Sequence, residues 1–206
     1  MFRVLTVAFC GLAGLHASVV YSNVGAGDAV AATGWLIGSG INLGGPGLIE
    51  AFSFVPLFDA SISSIDFPVY TRSGPATLML AIYTNDTGHP GTSLGNTASI
   101  IISNSTTQLR SIAIAPVVVT TNQTYWLVAS VADPLNTELL WGQNTIGQLG
   151  VRAAQLSGTT TWNTNQQDIV RGSFRLKAAD TPEPAMTCAL GVILFAIGVK
   201  RRVSGG

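Results

Sequence analysis

The stretch LMLAIYTNDTGHPG, residues 78–91, decides the fold class of this chain. Its first six residues are apolar at both odd and even positions, which is typical of a β-strand covered on both faces. A turn follows this strand, because Asn, Asp, Gly and Pro are concentrated between residues 85 and 91. A buried strand that runs directly into such a turn is the basic unit of an all-β protein.

The same kind of pattern recurs before and after this stretch. Residues 125–131, YWLVASV, are again apolar in both phases, and Phe52 and Phe54 are separated by one residue, like side chains on one face of a strand. No amphipathic helical period occurs between residues 18 and 180. The sequence predicts roughly eight to ten short strands, which favours an all-β, two-sheet β-sandwich of jelly-roll type.

Further segments of this region carry specific predictions. Residues 173–177 alternate between polar and apolar side chains, which predicts a half-exposed strand with Ser173 on its polar face. In residues 62–67 the apolar phase slips by one position, which predicts a β-bulge or a corner. Residues 38–47 are expected to form a glycine-rich loop, and residues 157–168 a polar loop.

Composition and charge exclude several classes of protein. Charged residues make up only 10% of the 206, hydrophobic residues make up 47%, and the formal net charge is zero. A disordered chain would be richer in charge, and a nucleic-acid binder would carry a basic excess, so no nucleic-acid partner is expected. Both cysteines, Cys10 and Cys188, lie outside residues 18–180. That region must therefore be stabilised by a hydrophobic core rather than by a disulfide.

The N-terminus has the parts of a secretory signal peptide. A single positive charge precedes residues 4–15, which are uncharged and mostly apolar, and the small residue Ala17 stands just before Ser18. This order predicts a signal helix over residues 1–17 with cleavage between Ala17 and Ser18, and Ala13 is the weaker alternative. The region that follows is therefore expected to be exported.

The C-terminus contains a second apolar segment. Residues 185–199, AMTCALGVILFAIGV, carry no charge and are followed by Lys200, Arg201 and Arg202. A helix of this length rises about 22 Å, and flanking residues can extend it enough to cross a bilayer. The sequence predicts a C-terminal transmembrane helix over about 185–199, with the basic cluster as a membrane stop on the cytoplasmic side.

A short acidic segment, Pro182, Glu183 and Pro184, stands immediately before this helix. The two prolines disfavour helix and leave an extended segment that a processing enzyme can bind. The tripeptide, the apolar span, the basic stop and the terminal position together resemble the PEP-CTERM sorting tail of bacteria, over residues 181–206. The resemblance implies a transient inner-membrane anchor, processing by an exosortase-like enzyme, and delivery to the cell surface or matrix of bacteria with exopolysaccharide-rich envelopes.

Several short motifs are spread across residues 18–180. They are Tyr21-Ser22-Asn23 with Gly25, Gly34-Trp35, residues 63–66, 82–91 and 124–128, Trp141, and Ser173-Phe174-Arg175. Together they resemble the choice-of-anchor R domain. That resemblance implies a β-sandwich displayed at bacterial surfaces by interchangeable tails, and it implies no known activity.

Candidates for catalysis or metal binding are sparse in this region. His89 is the only histidine between residues 18 and 180. It stands in a turn, which is a poor position for a rigidly held base. Asn85 and Asp86 lack the spaced series of acidic ligands that Ca²⁺ loops use, so an Asx-stabilised turn is expected there. We therefore expect no enzyme, no cofactor and no metal.

Three functions are consistent with the sequence. The favoured one is an exported, non-enzymatic surface or matrix protein. The alternative is a carbohydrate-binding module for exopolysaccharide, with Trp162 as a candidate glycan contact because it stands among polar residues. A glycoside hydrolase is the least favoured, since it needs two carboxylates at a fixed separation across a cleft. Asp66, Glu138 and Asp168 are candidates, but the sequence alone does not place any two of them together.

Overall fold

A computed structural model describes residues 17–38 and 46–179, and within these ranges the chain is an antiparallel β-protein. Ser18–Ala179 forms one compact unit. The signal peptide, most of the predicted glycine-rich loop and the sorting tail fall on residues 1–16, 39–45 and 180–206, which lie outside the described residues.

The described residues form thirteen strands and one short 3₁₀ turn, Ala26–Asp28. The strands are β1 Val19–Ser22, β2 Val30–Gly38, β3 Leu48–Phe54, β4 Ala60–Thr71, β5 Ala76–Asp86, β6 His89–Ser93, β7 Ala98–Ile102, β8 Gln108–Val119, β9 Tyr125–Val131, β10 Glu138–Asn144, β11 Leu149–Leu156, β12 Asn163–Val170 and β13 Arg175–Ala178.

Hydrogen bonds join these strands into one continuous sheet that contains two groups. The first group runs β1-β13-β4-β10-β2, with β8 on the other edge of β4, and the second runs β12-β11-β3-β9-β5, with β6 and β7 beside β5. Among the described residues, one register pair joins β2 to β3, between Gly38 and Leu48. Gly38 has φ +92°, and a Cβ there would collide with the carbonyl oxygen of Thr137, so this corner requires glycine.

Both groups of strands face one hydrophobic core, which gives the molecule a β-sandwich-like all-β fold. Phe67 and Trp141 come from the first group and Phe52 and Leu80 from the second, and all are at most 1% exposed. The rings of Phe52 and Trp141 meet edge to face, with centroids 4.9 Å apart. Burying one such apolar side chain contributes about 1.5–3 kcal/mol, so this core can stabilise the fold without a disulfide.

The strongest predictions of strand and bulge are confirmed. Along β5, Leu80 on one face is 1% exposed and Ala81 on the other is 8% exposed, so the strand is covered on both sides. The predicted irregularity in residues 62–67 is present as a register shift between Ile62 and Ser64 in the pairing of β4 with β8. A slip in the apolar phase locates a bulge because the extra residue must be accommodated in the ladder.

The prediction of a polar loop over residues 157–168 is wrong for its second half. Residues from Asn163 onward belong to β12, which pairs with β11 and with no other strand in the described part of the chain. The first six residues of β12, NTNQQD, contain no apolar side chain. Such an edge strand gives no period-two hydrophobic signal, so its pairing could not be recognised from the sequence.

Two other predictions need correction. Ser173 was expected on a polar face but is fully buried, because its backbone N–H donates to the carbonyl of Gly142 and its hydroxyl donates to the carbonyl of Asn23. The strands number thirteen in the described residues rather than eight to ten. Strands of four or five residues, such as β1 and β6, are too short to carry a clear alternation.

Candidate functional site

A polar pocket lies at one end of the strands β3, β9 and β5. Phe54, Tyr125 and Thr84 are in register across these three strands, so the pocket is located where they meet the loop between β8 and β9. Its volume is about 320 Å³, at the small end of the range for ligand pockets. The residues that line it are Thr84, Asn85, Asn122, Gln123, Thr124 and Tyr125.

The pocket offers amide and hydroxyl groups, and no charged side chain lines it. Asn85 Oδ1 accepts a hydrogen bond of 2.9 Å from Trp126 Nε1, which fixes the orientation of that amide. The hydroxyl of Tyr125 accepts a hydrogen bond of 3.1 Å from the backbone N–H of Thr120. A wall of this kind can exchange hydrogen bonds with a neutral, polyhydroxylated ligand, because amides both donate and accept.

Trp162, the predicted glycan contact, is half-buried and lies outside the lining of this pocket. It packs against a small apolar cluster that is separate from the main core and consists of Ala51, Trp126, Val128 and Ala153. The structure therefore gives Trp162 a packing role on the face of β3 and β9 that points away from the main core. Part of its surface remains exposed.

A buried ion pair, which the sequence analysis missed, joins β3 to β11. Glu50 is fully buried, and its carboxylate accepts from Arg152 Nε at 2.6 Å and also from Arg152 Nη2. The guanidinium lies 4.5 Å from the centroid of the Trp35 ring and also donates to Gln166 Oε1. Burial raises the pKa of Glu50 to about 7, against the opposing effect of Arg152. Glu50 shares the inward phase of Phe52 on β3, and this phase is the signal that could have identified it as buried.

The three candidate carboxylates lie on three different strands. Asp66 in β4 forms ion pairs of 2.9 Å with both basic residues of β13. Glu138 in β10 pairs with Arg72 at 2.8 Å. Asp168 in β12 is exposed. The first two are thus neutralised by different cations, and this arrangement gives no support to an acid and base pair for glycoside hydrolysis.

His89 lies at the start of β6, immediately after a tight turn. Asp86 and His89 are paired across the turn, and the two residues between them, Thr87 and Gly88, have φ values of 48° and 93°. Two consecutive positive φ angles are typical of a two-residue hairpin. His89 Nδ1 lies 3.2 Å from the carbonyl oxygen of Pro90. In the described ranges there is no group of three or more His, Cys, Asp or Glu residues that could hold a metal.

Arg171 is a buried cation without an acidic partner among the described residues. The residue is only 7% exposed, and its Nε and Nη2 have no hydrogen-bond partner in the described part of the chain. The guanidinium lies 5.7 Å from the centroid of the Tyr21 ring. A Cβ on Gly150 would stand 2.7 Å from Arg171 Cδ, so a larger residue there would displace the Arg171 side chain. Burial lowers the pKa of Arg171 and raises that of Tyr21.

The sorting residues of the C-terminus, 182–184 and 200–202, lie outside the described residues, as does the span 185–199. Ala17 and Ser18 are described and exposed, and they stand just before β1. No helix within the described ranges has the length and apolar character needed to cross a membrane. No protein-family model matches the chain, and no curated protein matches it.

Proposed function

We propose that this chain is an exported, non-enzymatic bacterial protein of the cell surface or extracellular matrix, delivered there by its C-terminal tail. The observation that carries the proposal is the order of segments in that tail. The sequence places the acidic tripeptide Pro182-Glu183-Pro184 before the uncharged span 185–199 and the basic residues 200–202. A secretory signal over residues 1–17 completes the set.

The physical chemistry of these segments defines a route. The N-terminal signal directs export, and translocation pauses when residues 185–199 enter the inner membrane. Charged groups cross hydrocarbon only at a cost of several kcal/mol, so residues 200–202 hold the tail against further movement. The tripeptide then stands at the outer interface, where an exosortase-like enzyme reads it, and cleavage nearby releases the body to the surface or matrix.

The body itself is proposed to be a two-sheet sandwich of jelly-roll type. Two features support this layering. In the part of the chain that the structure describes, a single register pair, between Gly38 and Leu48, connects the two groups of strands, and both groups contribute to one core. A disulfide-free sandwich of this kind is suited to display outside the inner membrane. The resemblance to the choice-of-anchor R domain supports the same role.

The chemistry of the body supports a non-enzymatic role. Asp66 and Glu138 are engaged in ion pairs with separate cations, and His89 stands beside a hairpin turn. The buried carboxylate of Glu50 is held by Arg152 within the core, which is the arrangement of a structural ion pair.

Cell fractionation tests the proposal, with the full chain compared with a variant that lacks residues 181–206. We expect the full chain to pass through the inner-membrane fraction, with its body accessible to protease added from the outside. The truncated variant is expected to be exported without appearing in that fraction. A full chain whose body remains protected in the cytoplasm contradicts the proposal.

One observation favours a second function, the binding of exopolysaccharide. The uncharged pocket lined by residues 84–85 and 122–125 presents amides and hydroxyls, which suit the hydroxyl groups of a neutral glycan. A glycan-binding screen tests this role with Gln123→Ala, beside Gln108→Ala as an exposed control at the start of β8. Binding that is lost only in Gln123→Ala supports the role, and binding that is equal in both, or absent from the native protein, contradicts it.

A further inference from the structure

Five exposed apolar side chains lie at the end of the body where the chain enters and leaves it. We name this surface the apolar tip, and it consists of Val19, Val55, Leu57, Phe58 and Val118. The two most prominent are Leu57, at 70% exposure, and Val118, at 72%. Side chains of this size are costly to leave in water together, and grouped exposure is a common mark of a contact surface.

Backbone contacts place these residues at one end of the molecule. The N–H of Leu57 donates to the carbonyl of Val20 at 2.9 Å, which fixes the β3–β4 loop beside β1. Val118 lies opposite Ser61 in the pairing of β4 with β8. The carbonyl of Ser61 accepts in turn from the N–H of Ala179 at 3.1 Å. Ala179, the last described residue of the chain, therefore lies at the same end of the body as the tip.

The length of chain that follows connects this end to the proposed anchor. Ala179 is the last described residue, and the apolar span 185–199 begins six positions later in the sequence. A fully extended segment of that length covers about 20 Å. Once the span is inserted, the tip end of the body is restricted to that distance from the membrane surface.

The charge of the tip points to lipid rather than to an acidic or basic protein. The loops 55–59 and 120–124 contain no Lys or Arg, and their one acidic residue is Asp59. Its Oδ1 accepts a hydrogen bond of 2.7 Å from the backbone N–H of Thr121, so this carboxylate already holds the two loops together. The exposed side chains of the loop 120–124 are uncharged, and the five apolar side chains of the tip are of the kind that partitions into the boundary between lipid headgroups and acyl chains.

We propose that the apolar tip rests in the outer interface of the inner membrane while the sorting tail is inserted. This inference rests on the proposed sorting function and adds the orientation of the body to it. With the tip in the interface, the orientation of the body relative to the membrane is restricted. The acidic tripeptide then stays near the lipid headgroups, where its processing enzyme can bind it. Release of the body requires the tip to leave the bilayer after cleavage.

Site-directed fluorescence on the full chain tests the contact. Cys10 and Cys188 are replaced by serine, and one cysteine at position 57, 118 or 101 carries an environment-sensitive dye. Ile101 is the matched control, because it is 66% exposed and lies opposite Thr77. Thr77 is about 23 Å along β5 from Thr84, which lies at the tip end. The protein is reconstituted in vesicles of phosphatidylethanolamine and phosphatidylglycerol that contain nitroxide-labelled lipid.

We expect the nitroxide lipid to reduce dye emission roughly twofold at positions 57 and 118 and to leave position 101 unchanged, as for side chains at interfacial depth. Protease protection of residues 185–199, measured on the same vesicles, reports insertion of the tail. Absence of quenching with a protected tail overturns the contact and leaves the sorting proposal standing. An unprotected tail overturns both. Equal quenching at position 101 also overturns the contact. A change in dye emission at positions 57 and 118 that depends on the density of protein in the vesicles, and not on nitroxide lipid, overturns it in favour of contact with a second copy of the chain.

Discussion

Glu50 occupies an inward position of β3, and its carboxylate meets Arg152 rather than solvent. Burial raises its pKa from 4.5 to about 7, so the folded state holds this proton more tightly than the unfolded state does. The stability that comes from protonation is fully present below the unfolded pKa and is lost as the pH rises through the folded pKa. The pH range over which this stability is lost therefore lies between about pH 4.5 and pH 7.

The substitution Glu50→Gln is expected to flatten the pH dependence of stability. The native protein should lose on the order of 3 kcal/mol of unfolding free energy across that pH range through this group, since one pKa unit corresponds to about 1.4 kcal/mol. Urea unfolding at a series of pH values measures the effect. Asp168→Asn, the same change at an exposed position, should retain the native pH profile. An unchanged profile in Glu50→Gln contradicts this account of the ion pair.

Phe52 and Ser53 are neighbours that face opposite sides of β3. Phe52 is fully buried against Trp141, whereas Ser53 is only half-buried. Phe52→Asp is expected to prevent folding, because an unpaired charge in the core costs several kcal/mol or more. Ser53→Asp should remain folded in far-UV circular dichroism. A soluble, cooperatively folding Phe52→Asp protein would show that this ring is not part of the core.

At the scale of elements, the corner between β2 and β3 depends on Gly38. A Cβ at this position meets the carbonyl oxygen of Thr137, whereas a Cβ at Gly74 meets nothing within 4 Å. Both glycines have φ near +100°, at 92° and 100°. The pair therefore separates the cost of the left-handed backbone from the cost of the collision.

We expect Gly74→Ala to lower the unfolding free energy by about 1–2 kcal/mol, the usual cost of placing a Cβ in this conformation. Gly38→Ala should lower it by at least twice as much, because backbone atoms must also shift at the junction of the two groups of strands. Thermal or denaturant unfolding of both variants measures the difference. Equal losses would mean that the close approach to Thr137 does not constrain the corner.

The elements differ in how far the sequence could predict them. β5 and β9 were predictable because a strand covered on both faces is apolar in both phases. β12 was not, since its hydrogen bonds to β11 leave no hydrophobic pattern. The candidate site was equally hidden: the pocket forms only when residues 84–85 meet 122–125, and the partner of Glu50 lies 102 residues away in the chain. The turn before His89 was predictable because its chemistry is local.

At the scale of the whole molecule, the chain joins a β-body without cysteine to two apolar terminal segments, which we propose to be a signal peptide and a sorting tail. Both ends of the body lie side by side, since the N–H of Ala178 donates to the carbonyl of Ser18 at 2.9 Å. The chain therefore enters and leaves the body at the same end. Under the sorting proposal, stability depends on the core and delivery on the tail, so a change in the tripeptide should alter processing without altering the fold.

Mass spectrometry of the mature extracellular protein is the most direct test of the sorting proposal, with Glu183→Ala as the variant and Asp180→Ala as the matched control. The native protein and the Asp180→Ala control are expected to begin at Ser18 and to lack residues 185–206. Glu183→Ala is expected to keep the tail and to accumulate in the inner membrane, because the charge of the tripeptide is lost. A native extracellular form that still carries residues 185–206, or a Glu183→Ala protein that is processed as well as the native one, would contradict the account.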